Sequence, residues 1–298
     1  MTFVITTASL SSNPLPEPDA EGDKNQRGRV LVIAGSASGP GGALLAGTPA
    51  LRAGAGKLQV ATVDRVALPL GLALPETLVV ALPETPDGDI APASADLLLE
   101  RVTKCDAILI GPGMLDHDVA AELTGRLQEC EPGPAFVLDA APLVGLMALR
   151  DRVARHGGRV VITPHAGEMA GLLGIDKQAI GSNPYHAAHK AAALLQCVVV
   201  LKGSDTHIVA PDGSASIYTE GKIGLATSGS GDTLAGIIAG LLACGAQPVQ
   251  AAQWGVYLHG EAGNRLTYSR GPLGFLASEL LAEIPSIMAS HTTTRVGG

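Results

Sequence analysis

Aromatic side chains are scarce in this chain of 298 residues, which holds 3 Phe, 4 Tyr and 1 Trp. A stacking platform for single-stranded nucleic acid or for sugars is therefore excluded, and a bound base has to be held by aliphatic side chains and backbone. Basic residues are also few: 20 Lys and Arg against 28 Asp and Glu leave a formal charge of −8, the opposite of a phosphate-backbone binder. No nucleic-acid partner is expected. The four cysteines, Cys105, Cys130, Cys197 and Cys244, form no C-x-x-C pair, which excludes a disulfide framework and a zinc knuckle and suits a reducing compartment. Long apolar runs are missing too. The stretch 66–82 is broken by Pro69, Pro75 and Glu76, and the run 236–246 is too short to span a bilayer. The first basic residue is Lys24, with no long apolar block before it, so a signal peptide is not expected. Together these features predict a cytoplasmic protein with no membrane partner.

What is present is apolar material in quantity, 46% hydrophobic against 16% charged residues, enough for a sizeable core. Residues 1–28 mix Ser, Pro, Asp, Glu and Lys with little periodicity and read as an N-terminal arm, with the fold starting near Arg29. Short β-branched runs at 29–34, 58–62, 107–110, 136–138, 160–163 and 198–201 alternate with longer Ala/Leu-rich stretches. That alternation predicts a mostly parallel central sheet covered by helices on both faces, a three-layer α/β/α fold binding ligands at the carboxyl ends of its strands. Two further β-like runs flank Pro211-Asp212-Gly213 and predict a hairpin over 206–218 at a sheet edge. With no internal repeat and no linker after residue 28, residues 29–298 read as one catalytic domain.

The sharpest local feature is Thr227-Ser228-Gly229-Ser230-Gly231-Asp232, a glycine-rich turn opening a helix of small residues. Amides at a helix N-terminus attract anions, so Gly229, Ser230 and Gly231 are candidates to hold a transferring phosphoryl group, with Asp232 as a base. The alternative is that Asp232 merely caps the helix. Gly236 and Gly240 inside that helix cost roughly 1 kcal/mol each relative to Ala and so predict close packing against another element. A second cluster, Thr163-Pro164-His165-Ala166-Gly167-Glu168, stands where a strand passes into a helix. There His165 could meet a polar substrate and Glu168 could reach Mg²⁺ through water, or Glu168 could simply close a capping box with Thr163 or His165. In Leu201-Lys202-Gly203-Ser204-Asp205-Thr206, Lys202 is either a point charge for a nucleotide phosphate or a solvated lysine. Gly turns at Ala34-Gly35-Ser36 and Ile110-Gly111-Pro112-Gly113 permit close backbone approach to a ligand. His186 and His189 lack an obvious third metal ligand and read as a solvated or packed face. Neither a G-x-G-x-x-G fingerprint nor a Walker A loop is present.

Taken in order, these motifs resemble the ADP-dependent NAD(P)H-hydrate dehydratase family, a branch of the ribokinase-like superfamily. The resemblance runs from about residue 28 to 288 and includes Ala50-Leu51-Arg52-Ala53-Gly54-Ala55-Gly56 and Val256-Tyr257-Leu258-His259-Gly260. It implies repair of NADH or NADPH that has taken up water: ADP or ATP phosphorylates the new hydroxyl, phosphate leaves, and the double bond re-forms, ADP giving AMP. Carried over by position, Asp232 would accept the hydroxyl proton and Gly229, Ser230 and Gly231 would hold the phosphoryl group. Lys202, Gly203, Ser204, Asp205, Thr206 and Gly231 would line the nucleotide. Ala43, Gly113, His165 and Asp232 would contact the hydrated dinucleotide, and Glu168 would be an indirect Mg²⁺ partner. The resemblance also implies a homo-oligomer and a separate epimerase acting on the same hydrates, because the N-terminal arm has no room for that domain.

Three departures from the family pattern stand out. Asp139-Ala140-Ala141-Pro142-Leu143 lacks the family's second acid at Ala141, the first glycine loop, Ser36-Ala37-Ser38-Gly39, lacks its aromatic residue, and the usual G-G-T-G-D reads Ser228-Gly229-Ser230-Gly231-Asp232. The last change keeps a hydroxyl and the final glycine. Two other functions stay open on sequence: a ribokinase-like kinase of a small alcohol or vitamin precursor, and a non-catalytic ligand-binding relative.

Overall fold

A computed structural model describes residues 2–17, 23–24, 26–130 and 133–291. Its strands are β1 (Thr2–Val4), β2 (Arg29–Ile33), β3 (Lys57–Val63), β4 (Thr77–Leu82), β5 (Ala107–Ile110), β6 (Ala135–Leu138), β7 (Val160–Ile162), β8 (Val198–Leu201), β9 (Thr206–Val209) and β10 (Ala215–Tyr218). They form one ten-stranded sheet in the order β1-β10-β9-β8-β7-β6-β5-β2-β3-β4. Only β9 runs antiparallel to its neighbours, through the pairs Leu201 with His207 and Tyr218 with Thr206. Strands covered on both faces read as continuous apolar runs, and β5 (Ala107–Ile110) and β8 (Val198–Leu201) are buried throughout. The mostly parallel α/β architecture expected from the alternating pattern is the one observed.

Packing explains the glycines of the Ser230–Ala243 helix. A Cβ on Gly236 would run into Ala46 O and Pro49, and one on Gly240 into the backbone of Ala50, so this helix lies directly on the Gly41–Arg52 helix. That contact fixes the helix N-terminus, which carries the glycine-rich turn, against the rim of the sheet.

The expectation that the fold starts near Arg29 is corrected by β1. Thr2–Val4 pairs in parallel with β10 and so becomes the edge strand beyond the 206–218 hairpin. After it Ile5 and Leu10 are buried, and Asn13 O accepts the indole N–H of Trp254 at 2.9 Å. A three-residue strand among Ser, Thr and Pro carries too little periodicity to stand out. Residues 1, 18–22 and 25 of the expected arm lie outside the described residues. The opposite edge, β4, was hidden in the stretch 66–82, where a helix, Asp64–Ala73, and the strand Thr77–Leu82 follow one another. No helix among the described residues is long and apolar enough to cross a membrane.

Candidate active site

The carboxyl ends of β6, β7 and β8 bring three loops together. Asp139 follows β6 and is 2% exposed, and its Oδ1 accepts from the Thr163 hydroxyl at 2.7 Å and from Lys202 Nζ at 2.9 Å. Lys202 follows β8, and its backbone N–H donates to Pro164 O at 2.8 Å, tying that loop to the one after β7. Next along, His165 caps the Ala166–Leu173 helix: Nδ1 accepts from the N–H groups of Gly167 and Glu168, while His165 N–H donates to Glu168 Oε2 at 2.7 Å. The capping-box reading therefore holds, with His165 rather than Thr163 as the cap. Glu168 nonetheless also faces the cleft, its Oε2 4.0 Å from Lys202 Nζ.

Across from these loops stands the glycine turn. Gly229, at φ 82, takes the left-handed conformation at the N-cap of the Ser230–Ala243 helix, so Asp232 does not fill the capping position. Asp232 lies in the first turn instead. Ser230 N–H donates back to Thr227 O at 3.2 Å, and the Ser230 hydroxyl meets His259 Nε2 at 2.9 Å. A Cβ on Gly231 would come within 3.1 Å of Lys202 Nζ, so the absence of a side chain there keeps open the space between the turn and the ammonium.

Charge follows from this crowding. Burial, reinforced by the like charges of Asp139 and Glu168 and opposed by Lys202, pushes the Asp232 carboxyl up to about 7. For Lys202, burial pulls the value down, but Asp139, Glu168 and Asp232 outweigh it, the net shift is upward, and the ammonium stays charged. Burial, opposed by a hydrogen bond from the ring to the Ser230 backbone and with the charge of Lys202 adding to it, pushes His259 down to about 4, leaving the ring neutral at physiological pH. Such a cleft can hold an anion against amides, a lysine and a hydroxyl while presenting a carboxyl whose protonation changes near neutrality.

The cleft measures about 880 Å³. Of the residues expected from sequence, Gly229, Ser230, Gly231, Asp232, Lys202, Gly203, Ser204, Thr206, His165 and Glu168 line it. Asp205 is exposed outside that lining. Ala43, expected to touch the dinucleotide, is fully buried beside the Gly35 turn and lines no part of the cleft. Gly113 also lies outside it, packed against Gly39 and Gly42, so the glycine turns after β2 and β5 bind each other rather than this cavity. Ala141, where the family pattern has an acid, is buried. His186 and His189 are exposed on the Pro184–Leu195 helix. Among the described residues no group of three His, Cys, Asp or Glu could hold a metal directly.

Asp139 and His259 were not singled out as site residues. Each sat inside a motif already noticed, but the pairings with Lys202 and Ser230 span 63 and 29 residues of chain. The wall formed by Tyr218, Ile223 and Leu225 carries no motif, and with Val256 it gives the cleft an apolar side that is mostly aliphatic.

A mostly parallel sheet with a glycine turn and a flanking acid at its rim places this chain in the ribokinase-like superfamily, a solved member of which shares the fold. The sequence matches the profile of the NAD(P)H-hydrate dehydratase family over residues 30–286, and the chain belongs to that family. It is 46% identical over 285 residues to the ADP-dependent (S)-NAD(P)H-hydrate dehydratase of Xanthomonas campestris, covering 95% of each chain. A bifunctional NAD(P)H-hydrate repair enzyme of Moorella thermoacetica is 39% identical over 95% of this chain, which spans 53% of that longer protein. Among solved structures, the ADP/ATP-dependent NAD(P)H-hydrate dehydratase of Bacillus subtilis co-crystallised with ATP and Mg²⁺ superposes with a TM-score of 0.83 at 32% identity, covering 97% of this chain and 99% of that one.

Proposed function

We propose that this protein dehydrates hydrated NADH or NADPH at the expense of a nucleotide. The observation that carries the reading is the placement of Asp232 in one cleft with the 229–231 turn, Lys202 and Glu168. In this mechanism the hydrate hydroxyl approaches Asp232, which takes its proton as the hydroxyl oxygen bonds to the terminal phosphorus of ADP or ATP. The bond to the leaving nucleotide breaks, giving AMP from ADP. Phosphate then departs from the ring carbon as a neighbouring proton is lost, and the nicotinamide double bond re-forms. A carboxyl at about 7 suits a general base working near neutral pH. Lys202 and the amides at the helix N-terminus would stabilise charge on the phosphoryl oxygens, and Lys202, Gly203, Ser204 and Thr206 would line the nucleotide.

The residues present fit Mg²⁺ of the kind that nucleotides carry, which keeps several waters and asks for only one or two carboxylates. Glu168 would reach it through water, and the bound ion would neutralise phosphate charge. His165 would contact the dinucleotide. A separate epimerase supplying the correct hydrate epimer, and cytoplasmic residence, belong to the same reading. So does self-association, for which the exposed Leu68 and Leu72 of the Asp64–Ala73 helix and Leu78 of edge strand β4 offer an apolar face.

Incubation with hydrated NADH, ADP and Mg²⁺, followed by chromatography of the products, tests it. NADH, AMP and phosphate in equal amounts are expected. A phosphorylated hydrate that accumulates without NADH would instead mark a kinase.

A further inference from the structure

The motif Val256-Tyr257-Leu258-His259-Gly260 has no part in the mechanism above, yet His259 and Gly260 both line the cleft. Gly260 presses against the ring of Tyr218, where a Cβ would collide, so the Pro248–Arg270 helix is held tightly at the residue after His259. His259 Nε2 then lies 2.9 Å from the Ser230 hydroxyl.

Ser230 belongs to the anion turn, but its backbone N–H is already committed to Thr227 O at 3.2 Å. Any donation from this residue to a phosphoryl oxygen therefore has to come from the side chain. A hydroxyl has a single hydrogen and two lone pairs. If that hydrogen goes to His259, Ser230 turns only lone pairs toward an anion and repels it. If the imidazole N–H goes to Ser230 instead, the hydroxyl hydrogen is free to point at the phosphoryl group. Burial and the nearby Lys202 charge keep the ring neutral, with one hydrogen to place.

We propose that His259 is a positioning residue that carries its hydrogen on Nε2, donates to Ser230 Oγ and thereby turns the Ser230 hydroxyl hydrogen into the cleft toward the transferring phosphoryl group. This rests on the function proposed above and adds to it the residue that orients the phosphoryl contact. Because the hydroxyl contact matters most as charge builds on the phosphoryl oxygens, its loss acts on kcat rather than on ground-state binding.

Two measurements test the proposal independently. In the first, kinetics of H259A, H259Q, S230A and S230A/H259A are compared with wild type. H259A is expected to lower kcat on the order of 10- to 100-fold, with KM for the nucleotide changed by no more than about twofold. H259Q, whose amide can donate from the same place, is expected to recover much of that loss, and the double variant to be no worse than S230A. Multiplying losses, an effect confined to KM, or H259Q no better than H259A would overturn the proposal. If H259A does not fold, H259Q and S230A with their double variant carry the same comparison. In the second, ¹⁵N NMR of histidine-labelled wild-type protein reads the ring directly: hydrogen on Nε2 of His259 is expected, and hydrogen on Nδ1 would overturn the assignment. A wild-type protein without dehydratase activity would sink the proposed function, while the NMR result would still decide the tautomer.

Discussion

Replacing Lys202 with Met tests the charge balance of the cleft. The substitution keeps most of the stem and removes the ammonium that stands 2.9 Å from Asp139 and 4.0 Å from Glu168. Breaking a fully buried ion pair by deleting one partner typically costs about 3–5 kcal/mol. The Lys202 side chain is 20% exposed against 3% for Asp139, so solvent screens part of the deficit, and a loss of about 2–3 kcal/mol at neutral pH is expected. The sign of its pH dependence follows from Asp232. A carboxyl raised to about 7 in the folded protein contributes stability below its unfolded value, and that contribution is lost as pH rises through about 7. Without Lys202, which pulls the Asp232 value down, it climbs further, so the deficit of Lys202→Met is larger at about pH 8 than at about pH 5.5. Urea denaturation of both proteins at the two pH values measures this. Equal stability, or a deficit independent of pH, would refute the electrostatic account.

Further outcomes follow from the same geometry. In wild type, kcat/KM rises with pH through an acid limb near 7 as Asp232 ionises, and a profile flat across that range would remove it as the base. Gly231→Ala would place a Cβ about 3.1 Å from Lys202 Nζ, the movable end of a flexible side chain. Its stability should stay within about 1 kcal/mol of wild type while activity falls by on the order of tenfold or more, as compared by thermal melts and rate assays. Leu10→Ala should cost about 2–4 kcal/mol in denaturant titration, because Leu10 is buried, whereas a detached arm would show no change.

Much of the sheet was legible because buried parallel strands are written as unbroken β-branched runs, as in Val198–Leu201. The glycines of the Ser230–Ala243 helix were equally readable, since their helix cost makes sense only against a close neighbour, here the Gly41–Arg52 helix. Edge strands escaped notice for opposite reasons: β1 is short and mostly polar in context, and β4 merges into the apolar helix before it. Within the cleft, loops following known strands could be placed at one rim, but no spacing rule shows that Lys202 leans on Asp139 or that Ser230 meets His259. Such pairings depend on strand order. Ala43 was reached through the family pattern alone, and its burial follows from the Gly35 turn folded over it.

The claim at the centre is that Asp232 removes the proton from the hydrated nicotinamide as phosphorus arrives. Recovery of reduced-nicotinamide absorbance from hydrated NADH, ADP and Mg²⁺, followed in parallel for wild type and Asp232→Asn, tests it most directly. The account predicts a rate lower by on the order of 10²–10⁴ in the variant, with nucleotide affinity retained in a binding titration. An Asp232→Asn protein that restores NADH as fast as wild type would contradict it.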